Sequence, residues 1–196
     1  MASKFYMKID RIQLYLDWMK EKVELHLKAD ECINRPIKRG EVYFCNLGRG
    51  IGSEQEKSRP CVILQIQSRN DKSPNTIVAP ITHTESTLDV VVPINTQYDD
   101  NGNIILDGHA LLGNIVTVSK ARLGRYITKI EEPEMNKIDT ALAISIGIQE
   151  RFDKIENQLK DKLDHVQRLL KRIDTLNQEN LILKRKLPTV DKSDVS

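Results

Sequence analysis

Glycine is missing from the first 39 residues of the chain and from the last 49, so that all nine glycines fall between Gly40 and Gly147. Proline is almost as confined: six of seven lie between Pro36 and Pro133, and Pro188 closes a long stretch that has none. Turn-forming residues therefore sit mid-chain. This excludes a uniform globular domain in favour of a compact, turn-rich core between two helical arms. No apolar run approaches the ~20 residues of a membrane span, and Lys4, Lys8 and Asp10 break up any signal-peptide stretch at the start. The three cysteines, Cys32, Cys45 and Cys61, form no CxxC pair and have no histidine at ligand spacing. That argues against a structural zinc site and fits a reduced, cytoplasmic setting.

With 39% apolar residues and 30 basic against 28 acidic groups, the chain is neither disordered nor a polybasic coat. Charge divides as +1 over residues 1–35, −2 over 36–150 and +3 over 151–196. Any contact with nucleic acid must come from a local basic patch.

Residues 1–35 read as an amphipathic helical arm. Ile9, Ile12, Leu16, Met19, Val23 and Leu27 recur at three- and four-residue steps, and Leu14, Trp18 and Leu25 widen the apolar face. Such a face needs a partner surface, in the core or in the other arm. Asn34-Arg35-Pro36 ends the arm.

Residues 36–150 read as short strands: Glu41–Leu47, Cys61–Gln67, Thr76–Thr82, Leu88–Asn95, and a further pair around Gly113. Asn101-Gly102 marks a hairpin turn. Close-spaced short strands favour a small antiparallel barrel over a βαβ sheet. A helix starts near Glu132-Pro133-Glu134, with proline and acids in its first turn.

That helix is expected to run on into a coiled coil over 151–188, leaving 189–196 as a disordered tail. Placing Phe152, Leu159, Val166, Ile173, Asn180 and Leu187 at heptad position a makes nine of eleven a and d positions apolar. Asn180 at a fixes a parallel, two-stranded register, and Glu179 at g attracts Lys184 at the following e across the pair. A basic-zipper reading fails, because Asn136–Gln149 before the coil carries just Lys137. The coil is a dimeriser.

Chemistry is left to the core. Gly52-Ser53-Glu54-Gln55 opens a loop leading through Lys57 to Arg59-Pro60 and an apolar strand. It offers backbone N–H groups, short polar side chains, a carboxylate and a guanidinium at one rim of the sheet. A later strand ends at Thr82-His83, where alternation turns His83 away from the face of Thr82. His109 reads as a loop residue, and Cys45 and Cys61 as small core residues.

Lys38–Phe44, Gly52–Gln55 with Arg59-Pro60, and Val78-Ala79-Pro80-Ile81-Thr82 resemble the MazF/PemK family of toxin endoribonucleases. The likeness continues through Ile130–Ile148 and spans about residues 37–149. It implies an α+β fold, an SH3-like barrel dimer that cuts single-stranded RNA, often mRNA, without metal or cofactor. The products would carry 2′,3′-cyclic phosphate and 5′-hydroxyl ends. It also implies a cognate antitoxin as partner. The family's catalytic Arg and Thr match Arg59 and Thr82; Ser53, Glu54 and Gln55 match positions around the site, with Lys57 and His83 beside them. Glu54 is open as base or as a partner that orients Arg59. Where many members carry Gln-x-Arg-x-x-Asp, this chain has Asn114, Val116 and Ser119, and Lys120, Arg122 and Arg125 follow. The competing expectation is a catalytically reduced scaffold that binds RNA or protein.

Overall fold

The computed structural model describes residues 8–186. Residues 1–7, Leu187, Pro188 and the 189–196 tail lie outside it. The described chain divides into two compact units, one ending at Gly147 and one beginning at Ile148.

The first unit opens with α1 (Ile9–Leu27) and continues into seven strands. These are β1 (Glu41–Asn46), β2 (Ser58–Ile63), β3 (Asn75–Thr82), β4 (Val91–Tyr98), β5 (Ile104–Leu111), β6 (Val116–Ser119) and β7 (Leu123–Lys129). A one-turn helix α2 (Gln67–Asn70) precedes β3, and α3 (Glu132–Ser145) follows β7. Every recorded strand pairing is antiparallel, in the order β4-β5-β3-β2-β1-β7. β6 completes the sheet by pairing with Asn75–Val78 of β3, while Ile81 and Thr82 of the same strand pair with β5. The result is the α+β, SH3-like half-barrel expected from the sequence.

Both faces of this sheet are covered. Val42, Val62, Ala79, Ile81, Ala110 and Leu106 point to one side, where Met135, Ile138 and Ala141 of α3 pack on them. Tyr43, Cys45, Cys61, Ile63, Val78 and Val118 alternate with these and form a second cluster on the opposite side. Two-sided burial explains why Cys61–Leu64 and Val78–Ile81 read as continuous apolar runs. Glu134 ties α3 to β4 by accepting a hydrogen bond from the Asn95 amide at 2.7 Å. The Asn101-Gly102 turn is present, with Gly102 at φ +80° and its amide donating to Asp99.

Several boundaries differ from expectation for local reasons. β2 starts at Ser58 rather than Cys61, because at Pro60 the strand pairs with β1 alone and no second ladder needs its missing N–H. It stops at Ile63, since the chain turns into α2. The fourth strand lies at Val91–Tyr98, three residues later than the β-rich run suggests. β7 carries no clean alternation; it meets β1 through two register shifts.

Lys120 is 2% exposed, and its Nζ donates to the carbonyls of Asn70 and Ile33 at 2.7 and 3.1 Å. It is therefore a strut between α2 and the segment after α1, not a source of surface charge.

α1 attaches through a different face from the one its main stripe defines. Trp18 lies over Gly48, whose φ is +84° and where any Cβ would fall 2.3 Å from the indole. Arg122 stacks on the same ring at 5.2 Å, and Glu21 accepts from Asn46 Nδ2 at 3.1 Å. The stripe from Ile9 through Leu16 to Leu27 remains exposed.

The helix after β7 does not run on into the coil. Gly147 takes a left-handed conformation at φ +70°, and its amide closes back onto the Ile144 carbonyl at 3.0 Å. This glycine C-cap ends α3. The second unit is α4 (Gln149–Lys186), a 38-residue helix about 57 Å long. Its apolar stripe, from Phe152 through Leu169 to Leu183, is exposed along the whole described length. None of the described helices is long and apolar enough to cross a membrane.

Candidate active site

The β1–β2 loop is built by its glycines and by one strained residue. Leu47 and Lys57 close it through amide-to-carbonyl bonds of 2.9 and 2.7 Å, with Lys57 held at φ +66°. Gly50 permits the inner turn, because a Cβ there would come 2.8 Å from Glu54 Cβ. The Glu54 carboxylate accepts the Ile51 amide at 2.9 Å, so it shapes the loop rather than orienting Arg59.

Behind this loop lies an open groove of about 680 Å³. Leu47, Arg49, Gly50, Glu54 and Gln55 form one wall, Gly113–Ser119 the other, with Pro80 and Arg122 completing it. Val116 gives the second wall, Gly113–Ser119, an apolar patch, and Arg122 adds a positive charge to the lining while donating to the Asn46 carbonyl at 3.0 Å. Among the described residues no side chain of α1 lines the groove, so the arm does not cover it.

Arg59 stands opposite Cys45 in the β1–β2 ladder, which places it on the second-cluster face. Its Nε donates to the Glu56 carbonyl at 3.0 Å, and the rest of the guanidinium takes no partner among the described residues. Thr82 alternates with Val78 and Pro80 on β3 and so shares that face. The β2–β3 register runs Ile63↔Val78, Val62↔Ala79, Cys61↔Pro80; extended along both strands, it sets Arg59 opposite Thr82. Thr82 Oγ1 accepts the Thr84 amide at 3.3 Å. A cation with free N–H groups and a nearly buried hydroxyl thus share one face of the sheet, just past the last pair of β2 and β3.

The other expected site residues scatter. Glu54 and Gln55 line the groove; Ser53 is exposed on the loop. Lys57 lines a separate cavity of about 360 Å³ against Asp17, Trp18 and Glu21 of α1. His83 falls just past the end of β3, where strand alternation no longer governs it. Its Nε2 reaches Asp107 Oδ1 at 2.7 Å, and the ring is 80% exposed at the rim.

His109 belongs to β5 rather than to a loop and pairs directly with Thr82. Its Nδ1 and the Gln55 Oε1 are the two enclosed side-chain atoms without a hydrogen-bond partner among the described residues. An unmet buried polar atom costs about 1–3 kcal/mol. The sequence signal for His109 was Gly108 before it. That glycine holds φ +105°, and a Cβ there would come 2.5 Å from the Thr82 carbonyl oxygen.

Beneath the site, burial and a 2.8 Å hydrogen bond to Glu41 push the Tyr43 phenol up to about 12. The raised value favours the neutral phenol in the folded state. Its contribution is intact below about pH 10 and is lost as pH rises through about 12. Cys61 is raised by its hydrogen bond to Cys45 and by burial, and that same bond lowers Cys45. Both are buried, free thiols of the floor.

Fold and groove together define a small SH3-like half-barrel whose β1–β2 loop, with Arg49 and Arg122, lines one open cleft, while Arg59 and Thr82 lie outside that lining. A family model for the PemK-like, MazF-like toxin of type II toxin-antitoxin systems matches residues 38–146. The chain belongs to this family. It is 36% identical over 113 residues to "Endoribonuclease EndoA" of Bacillus subtilis (strain 168), covering 57% of this chain and 96% of the relative. It is also 36% identical over 118 residues to "Endoribonuclease MazF" of Staphylococcus epidermidis, covering 60% and 96%. Among solved structures, MazF from Deinococcus radiodurans superposes with a TM-score of 0.50 at 15% identity, covering 57% and 96%. That likeness concerns the fold alone. Residues 1–37 and α4 lie outside the family match.

Proposed function

We propose that this chain is the toxin of a type II toxin-antitoxin pair and an endoribonuclease that cuts single-stranded RNA, mRNA above all, without a metal. The observation that carries the reading is that Arg59 and Thr82, just beyond the last β2–β3 pair, lie on one face of the sheet, in a chain of this family that also holds an open groove behind the β1–β2 loop. RNA supplies its own nucleophile. The 2′-hydroxyl attacks the adjacent phosphorus, the bond to the 5′-oxygen breaks, and 2′,3′-cyclic phosphate and 5′-hydroxyl ends result. The proton lost by the 2′-oxygen is balanced by one gained at the leaving 5′-oxygen. Arg59 grips phosphate oxygens with its unpartnered N–H groups and stays charged throughout, so it stabilises the phosphorane. Thr82 donates to the same phosphate. Glu54 and Gln55 hold the strand in the groove, Ser53 contacts it from the loop, and His83 meets it at the rim; Lys57, turned to the α1 side, is left out of the contact. The antitoxin occupies this groove in the resting pair.

The test uses the purified chain, free of antitoxin, on unstructured RNA of mixed sequence in EDTA. Fragmentation is expected. Binding without cleavage across the whole panel would overturn the enzyme reading and leave an RNA-binding scaffold.

The second unit makes the toxin a dimer through a parallel coiled coil of α4, in addition to pairing of the barrels. The support is its exposed apolar stripe, which a lone helix cannot keep in water. Parallel pairing also joins Arg151 to Glu156 and Glu179 to Lys184 at the g and e positions, with no like charges there; Lys162 at d faces its own copy. Asn180→Cys is expected to form a disulfide-linked dimer under mild oxidation, because a positions of a parallel pair face each other. A monomer on non-reducing gels, or a dimer equally abundant in the wild type, would contradict the arrangement.

A further inference from the structure

One residue of the site face has no role in the reading above. On β5, Leu106 and Ala110 point into the cluster under α3, so His109 points to the opposite face, that of Arg59 and Thr82. The ladder sets His109 directly beside Thr82, and the extended β2–β3 register sets Arg59 on the other side of Thr82. Thr82 and His109 therefore form a recorded pair, and Arg59, two residues beyond the last β2–β3 pair, lies on the same face of the neighbouring strand. Gly108 draws β5 tight against the Thr82 carbonyl and fixes the spacing of the Thr82–His109 pair.

The imidazole is half-buried, and none of the described residues bonds it. Its Nδ1 is enclosed without a partner. A proton on that atom would be a dry N–H with no acceptor, the rarest of polar defects in folded proteins. The ring proton is accordingly assigned to Nε2, the far ring nitrogen. His83 differs: its ring already has Asp107 and stands mostly in water.

We propose that His109 is a catalytic residue of this toxin, whose Nε2–H donates to a non-bridging oxygen of the scissile phosphate next to Thr82. The proposal rests on the endoribonuclease reading. As attack proceeds, negative charge builds on the non-bridging oxygens, and a donor already in place strengthens without reorganising. No proton is transferred by His109; it adds a neutral donor to the charged one from Arg59.

Single-turnover and steady-state cleavage by the full-length chain decides this. Gln at 109 places an amide N–H near the position of Nε2, whereas Asn mimics Nδ1. His109→Ala and His109→Asn are expected to lose on the order of 100-fold in kcat with little change in KM. His109→Gln is expected to recover to within about tenfold of wild type, which a base or acid role would not allow. Full activity of His109→Ala overturns the proposal, as does a Gln variant as impaired as Ala in a protein with an unchanged melting curve. A wild type that fails to cut RNA in the same assay overturns the endoribonuclease reading itself, and this role with it. An active wild type with an indifferent His109→Ala removes His109 alone.

Discussion

Arg59→Ala is expected to slow RNA cleavage by on the order of 1,000-fold while the barrel stays folded. Two features of the structure separate these effects. The single bond from Arg59 Nε to the Glu56 carbonyl lies at the half-open end of β2, so its loss costs about 1 kcal/mol of stability. The remaining guanidinium N–H groups serve nothing in the free protein and are left to grip a phosphate. Arg59→Lys keeps the charge and loses the planar fork, so it is expected to fall between wild type and Ala. Single-turnover cleavage beside a thermal melt checks both halves. Near wild-type turnover in Arg59→Ala would remove the proposed stabiliser.

Gly108→Ala is expected to damage stability and activity together. At φ +105° a side chain is strained even in open space, and here the added carbon would meet the Thr82 carbonyl oxygen at 2.5 Å. That oxygen is backbone and cannot rotate aside. β5 must draw away from β3 at the point where His109 and Thr82 pair. Strain of this kind costs about 1–3 kcal/mol, and the widened pair is expected to lose at least tenfold in turnover. By contrast Gly102→Ala, also at positive φ but with nothing within 4 Å, lies on the hairpin tip. It is expected to lower the melting point without altering the rate per folded molecule. Equal turnover in Gly108→Ala and Gly102→Ala would show that the pair does not depend on the close approach of β5.

Much of this architecture is legible in the sequence because its punctuation is strong. Confinement of glycine between Gly40 and Gly147 marks the barrel almost end to end, and the Gly52–Arg59 stretch with the strand ending at Thr82 marks the site. What escaped depends on contacts that periodicity does not carry. β7 pairs through irregular register, and its sequence shows no clean alternation. The stripe of α1 is visible, yet the docking face is chosen by Trp18 finding a glycine, Gly48, far along the chain. The proline-free stretch from Glu134 to Leu187 suggests one continuous helix, but a left-handed glycine at Gly147 ends α3 whatever follows it. His109 looked like part of a loop because Asp107-Gly108 precedes it; the pairing of β5 with both β4 and β3 makes it a strand residue of the site. Arg122 is a surface cation in the sequence and a groove residue in the fold, since Trp18 and the Asn46 carbonyl hold it there.

The central claim is that the RNA itself provides the nucleophile and this chain supplies charge and donors around the phosphate. Mapping the ends of fragments released from a mixed RNA pool by the full-length protein in EDTA tests it most directly. The account predicts 2′,3′-cyclic phosphate on every upstream fragment and 5′-hydroxyl on every downstream one, with both reduced by on the order of 1,000-fold in an Arg59→Ala digest of equal duration. Fragments bearing 5′-phosphate ends would contradict it, because they require an external water and a different bond to break.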